Sequence, residues 1–135
     1  MAPPFLDTNV FLRHLRQDDP VLSPKATAIF QRIELGELVV RTFDTVVCET
    51  VFTLQRGYKQ ERSAIAEALL PLIELPGIVL PGKRAYRKTF ALYRQGPLGF
   101  ADCHHVVLME QLKLQEAFSF DRDFDKVPGV QRREE

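Results

Sequence analysis

Cysteine is nearly missing from this chain: Cys48 and Cys103 are the only two in 135 residues. Two thiols build no disulfide framework, and free cysteines in a reducing compartment are the simpler expectation. Long apolar runs are missing as well. None approaches the ~18–20 residues of a membrane span, and the opening "MAPPFLD" lacks the basic-then-apolar pattern of a signal peptide. Net charge is also absent, since 18 basic residues balance 18 acidic ones; the total therefore says nothing for or against a polyanionic partner. There is no repeat, low-complexity tract or linker. The expectation is one cytoplasmic domain over residues 1–135, with no membrane association.

What is present suits a soluble globular protein: 45% hydrophobic and 27% charged residues. A chain this long buries roughly two-thirds of its unfolded surface, enough for a core without staples. Charge is unevenly spread. No acid lies between Glu74 and Asp102, where Lys83, Arg84, Arg87, Lys88 and Arg94 fall. A separated basic stretch can attract anions, although a solvated helix face is the plainer reading. Acids gather near the C-terminus at Asp121, Asp123 and Asp125.

Phe5 and Leu6 read as a short buried strand, and "NVFLRHLRQ" then takes up helical spacing. "SPKATAIFQRIELGE" places Ser23 as N-cap and Pro24 at the first helical position, with Gly36 closing the helix. "ELVVRTF" is the second strand. A helix from Asp44 to about Arg56 follows, ended by Gly57; "QERSAIAEALLPLIEL" is another, which Pro71 should kink or stop. "GIVLPG" is a short strand. In "KRAYRKTFALYRQG", Tyr86, Phe90 and Tyr93 share one face, which should point to the core, with the basic residues opposite. "GFADCHHVVLMEQLK" is apolar around most of its circumference, so it should be buried on several sides. "QEAFSF" is the last clear strand, with one more edge strand expected near Val130. Short strands alternating with helices imply an α/β fold with a mainly parallel sheet and helices on both faces.

The chemistry is suggested by where the acids fall. Ligands of an open parallel sheet bind beyond the carboxyl ends of its strands. Asp7 follows the first strand abruptly and Asp121 follows "EAFSF". Glu49 sits beside the arc formed by Val46, Val47, Val51 and Leu54, and Asp102 enters the first turn of the buried helix. Each has a bland alternative: Asp7 and Asp102 as caps, Glu49 as a partner for Arg56, Asp121 as a turn residue. Together they suggest a pocket. Two carboxylates ~4 Å apart repel by about 4 kcal/mol at an effective dielectric near 20. Convergent acids must therefore hold protons or surround a cation, and oxygen ligands suit Mg²⁺ or Mn²⁺.

At these residues the chain resembles the PIN-domain nucleases, and most closely the VapC-type toxins of toxin–antitoxin pairs. The resemblance rests on "FLDTNVFLRHL", "VVCETVFTL", "GFADCHHVVLME" and "FSFDRDFDKVPGV", in that order along nearly the whole length. It implies a three-layer α/β/α sandwich around a mainly parallel sheet of four to five strands, and a metal-dependent endoribonuclease using Mg²⁺ or Mn²⁺. It carries the catalytic, metal-holding acids onto Asp7, Glu49, Asp102 and Asp121. It makes Asn9 the residue that orients the first acid and puts Ser119 where a small hydroxyl is usual. Asp121 is favoured over Asp123 as the fourth acid, with Asp123 assisting through water. The resemblance further implies an RNA substrate, a homodimer, and an antitoxin protein that can push an Arg into the acidic pocket.

Several residues have competing readings. Arg13, about a turn beyond Asp7, is a candidate cation near the scissile phosphate, and the helical pair over 44–75, with Leu69, Leu70 and Leu72, a candidate surface for a dimer or inhibitor. His105 could join Asp102 at a metal, but a core or supporting role is the plainer one. Cys48 and Cys103 flank two of the acids, yet adjacent helical residues diverge by about 100° and packing explains them. A non-catalytic acidic pocket that binds a metal or a basic peptide is the alternative to an enzyme; the complete acid set favours the enzyme.

Overall fold

The computed structural model describes residues 2–135. Contacts divide the chain into two compact units, Met1–Arg84 and Ala85–Glu135. Six α-helices and four strands lie among the described residues, and every strand pairing is parallel. The expected parallel sheet takes the form of one strand pair in each unit, with an isolated bridge at Phe5. No helix among the described residues is long and apolar enough to cross a membrane.

In the first unit the β-branched run at 39–42 forms β1 (Val40–Arg41), which pairs with β2 (Ile78–Val79) in the register Val40↔Ile78. On its other side the Leu6 N–H donates to Arg41 O and the Arg41 N–H to Pro4 O, both at 2.8 Å. β1 is therefore central, and the first expected strand shrinks to the bridge Phe5↔Arg41. Only half of the "buried" expectation for it holds. Leu6 is 3% exposed but Phe5 54%, because successive strand residues face opposite ways and the Phe5 ring leans on Phe43 at 5.5 Å.

Helices α1 (Thr8–Arg16) and α2 (Leu22–Glu34) pack together through Phe11 and Phe30, whose ring centroids lie 5.3 Å apart. The start of α2 corrects the sequence reading. Asp19, rather than Ser23, serves the free N–H groups, accepting from Val21 and Leu22 at 2.9 and 2.7 Å. The Ser23 hydroxyl instead accepts from the Asp19 N–H. Pro24 still falls within the first turn, where no helical hydrogen bond is lost. Gly36 ends the segment at φ +78°, a conformation glycine adopts without strain.

Helix α3 (Asp44–Phe52) runs into a π-helical turn, Thr53–Gly57, which closes at Gly57 as expected. Helix α4 (Arg62–Ile73) continues through Pro71, so the proline does not stop it at that residue. An interior proline costs ~3 kcal/mol, but each fully buried aliphatic side chain returns ~1.5–3 kcal/mol. Buried Ile65, Leu69 and Ile73 span the proline, and the last turn is completed by Glu74 N–H to Leu70 O at 3.0 Å. Gly77 leads into β2 where a Cβ would meet Leu38 O and Ile33 Cγ2 at 2.9 Å.

In the second unit α5 (Ala85–Gln95) packs on α6 (Phe100–Gln111). Tyr86, Phe90 and Tyr93 are buried as expected, while Arg87, Lys88 and Arg94 are exposed. Tyr86 stacks on His104 at 4.4 Å, and His104 Nδ1 lies 2.9 Å from the Thr89 hydroxyl. Helix α6 buries Cys103, His104, Val106 and Val107 but leaves His105 and Glu110 exposed. β3 (Glu116–Phe118) pairs with β4 (Gln131–Arg133), which begins one residue after the expected Val130.

Candidate active site

The abrupt junction at Leu6–Asp7 has a structural cause in the neighbouring strand. The buried Thr42 hydroxyl donates to Leu6 O at 3.0 Å, which pins the chain just before the acid. Asp7 is still extended (φ −90°, ψ 163°) and caps α1, its Oδ1 accepting from the Thr8 N–H at 2.8 Å. The cap reading and the strand-end reading are thus both true of Asp7.

Thr8 then makes the link between elements. Its hydroxyl donates to Glu49 Oε2 at 3.0 Å. Val46, Val47, Val51 and Leu54 are buried as the helical arc requires, and Glu49 emerges at the edge of that arc on α3, which packs against α1. Two acids from separate segments therefore accept hydrogen bonds from one buried threonine. Both follow the carboxyl ends of parallel neighbours, where an open sheet binds its ligands. Neither has an ion-pair partner among the described residues, and Asp7 Oδ2 and Glu49 Oε1 make no hydrogen bond. Sequence reasoning missed Thr8, although it stands in the middle of "DTN". A hydroxyl between an acid and an amide was the available signal.

Asn9 is exposed, and its amide makes no hydrogen bond among the described residues. With Arg13, Val10, Leu22, Lys25, Ala26 and Ile29 it lines a cavity of about 310 Å³ along α1 and α2. Arg13 is engaged by Asp18, Nη1 to Oδ1 at 3.4 Å.

In the second unit, Asp102 occupies the first turn of α6 as expected. Its Oδ1 lies 3.4 Å from Nδ1 of the exposed His105. Asp121 caps a short 3₁₀ turn, Arg122–Lys126, accepting from the Asp123 N–H at 2.9 Å. The Ser119 hydroxyl accepts from the Asp121 N–H at 3.0 Å, so these two residues sit side by side. Asp123 is 3.7 Å from Lys126 Nζ. Among the described residues no group of three or more His, Cys, Asp or Glu side chains is gathered to hold a metal ion.

The thiols behave as packing groups. Cys103 is buried, and its thiol donates to Leu98 O at 3.5 Å. Burial, and then the Asp44 carboxylate, push the half-buried Cys48 thiol above its ordinary value, which suppresses the reactive thiolate.

The Asp7–Glu49 pair offers hard oxygen donors without a compensating cation. That chemistry fits Mg²⁺ or Mn²⁺ and suits thiolate-seeking metals poorly. Comparison with known proteins bears on the family rather than on the ion. Residues 5–130 match the PIN domain family. A VapC ribonuclease from Aquifex aeolicus (strain VF5) is 29% identical to this chain over 124 residues, spanning 90% of each chain. Six helices interleaved with parallel strands agree with the α/β/α architecture of a PIN fold.

Proposed function

This chain belongs to the PIN domain family, and on that footing we propose that it is a metal-dependent endoribonuclease, the toxin of a toxin–antitoxin pair. In this reading residues 1–135 form one PIN domain acting in the cytoplasm as a homodimer restrained by an antitoxin protein. The observation that supports it is the pair of hydrogen bonds made by Thr8, its N–H donating to Asp7 Oδ1 at 2.8 Å and its hydroxyl to Glu49 Oε2 at 3.0 Å. Nothing about a purely structural cap requires a second, unpaired carboxylate to be drawn to the same residue. The similarity to a VapC ribonuclease supports the choice of RNA as substrate.

Each residue then has a role. Asp7 and Glu49, and by the family resemblance Asp102 and Asp121, would hold Mg²⁺ or Mn²⁺. A bound divalent ion supplies Lewis acidity toward water and toward the phosphodiester. Thr8 fixes the rotamer of Glu49 while its N–H fixes Asp7. Ser119 receives the Asp121 N–H and so sets the direction of that acid; Asn9 and Asp123 support the acids through solvent. Arg13 sits nearly two turns along α1 from Asp7, where a cation attracts the phosphate to be cut. His105 steadies Asp102 from the following turn.

The test is cleavage of structured RNA with Mg²⁺ or Mn²⁺ and with chelator. Cleavage should need the metal and vanish in Asp7→Asn, which removes charge and almost no volume. An unchanged rate in that variant removes the acid from the mechanism.

A further inference from the structure

We propose that the cavity lined by α1 and α2 seats one nucleotide of the RNA, next to the phosphodiester being cut. This rests on the nuclease reading and adds a specificity site to it. The cavity holds about 310 Å³, at the small end of the ~300–1,000 Å³ of ligand sites. That suits a single base rather than a docked helix. Val10, Ala26 and Ile29 supply an apolar floor, the surface on which an unstacked base loses water.

The polar lining is one-sided. Arg13 and Lys25 contribute cations and no acid lines the cavity, an arrangement that favours a phosphate. Arg13 is shared with Asp18, whereas Lys25 has no carboxylate partner among the described residues. The Asn9 amide is likewise uncommitted, and an amide can both donate to and accept from a base edge. Single-stranded RNA is read in this way, by bases turned out onto apolar or aromatic surfaces and hydrogen-bonded along their edges. Asn9 directly follows Thr8, which holds Glu49, so this lining begins one residue along α1 from the acids' shared partner. A nucleotide seated here is a neighbour of the one cleaved.

The experiment is steady-state cleavage of a pool of structured RNAs with randomised single-stranded loops, with fragment ends sequenced, for wild type, Lys25→Glu and Ile29→Trp. Lys25 lies on the exposed side of α2, so its variant should melt like wild type even if the cavity-filling variant does not. Lys25→Glu should raise KM about tenfold, the loss of one charge-assisted contact, with kcat within about twofold. It should also reduce the salt slope of log kcat/KM by about 0.7. Ile29→Trp should change the base preference at one position flanking the cut. A general loss of structure would instead lower kcat and melting temperature together and leave cut-site preference alone. Unchanged KM, salt slope and cut-site preference in both variants, with wild type active, overturn the assignment and leave the cavity to a protein segment. Wild type that cuts no RNA with Mg²⁺ or Mn²⁺ overturns the nuclease reading, and this site with it.

Discussion

Replacing Thr8 by Val tests the bridge at the centre of the site. The substitution keeps the branched shape of a buried side chain and deletes only the hydroxyl that donates to Glu49 Oε2 at 3.0 Å. A hydrogen bond to a charged group contributes ~1.5–3 kcal/mol. Glu49 is exposed, so water screens the interaction and about 1 kcal/mol is the better figure. For a chain of this length that lowers the melting temperature by roughly 3–4 °C. Activity should suffer far more. Removing the partner that orients a metal-holding side chain costs ~10–100-fold in metal affinity or rate. The signature is therefore a small thermal shift beside a large loss of cleavage, read by melting curves, single-turnover RNA cleavage and a Mn²⁺ titration. Thr8→Ser restores the hydroxyl and should recover most of the activity. Cleavage and Mn²⁺ affinity within about twofold of wild type in Thr8→Val would refute the idea that this bond positions Glu49.

Three further outcomes are expected. Millimolar Mg²⁺ or Mn²⁺ should raise the melting temperature, by the equivalent of about 2.7 kcal/mol at a hundredfold excess over Kd, and Asp7→Asn should abolish the rise. Burial pushes His14 below its ordinary 6.5, so below that value the unfolded chain binds a proton the folded one resists. Its contribution to stability is complete above pH 6.5 and is lost as pH falls toward the depressed folded value. Melting temperature should drop between pH 7.5 and 5.5, less so in His14→Gln, and equal slopes would discount the stacked ring. Lys83 Nζ donates to Leu75 O and Ile78 O, both at 2.8 Å; Lys83→Met should cost about 1–3 kcal/mol in urea unfolding, and a neutral result would show those carbonyls content with water.

The helices were legible because burial demands a period. Tyr86, Phe90 and Tyr93 repeat at helical spacing, and all are buried on α5. The Leu6–Asp7 edge was legible because a carboxylate directly after an apolar pair is unusual unless the strand ends there. Less legible were features set by competition between neighbours. Asp19 outcompetes Ser23 as the cap because its carboxylate reaches two N–H groups. Pro71 is carried by buried residues on either side of it, which propensity does not count. Phe5 and Leu6 look alike in sequence, and only the pairing with Arg41 decides which one turns inward.

The sequence by itself determined the inventory: which acids follow strands and helix starts, their oxygen-only chemistry, and the PIN resemblance across four separated motifs. Local periodicity and turn chemistry carry that information, since they act over a few residues. Tertiary structure alone decided that Glu49 reaches Thr8, the residue whose N–H serves Asp7. That contact depends on the register of residues 4–6 against β1 and on α1 packing against α3. Both are long-range choices, fixed by burial of the whole set of side chains at once, and no short window of residues contains them.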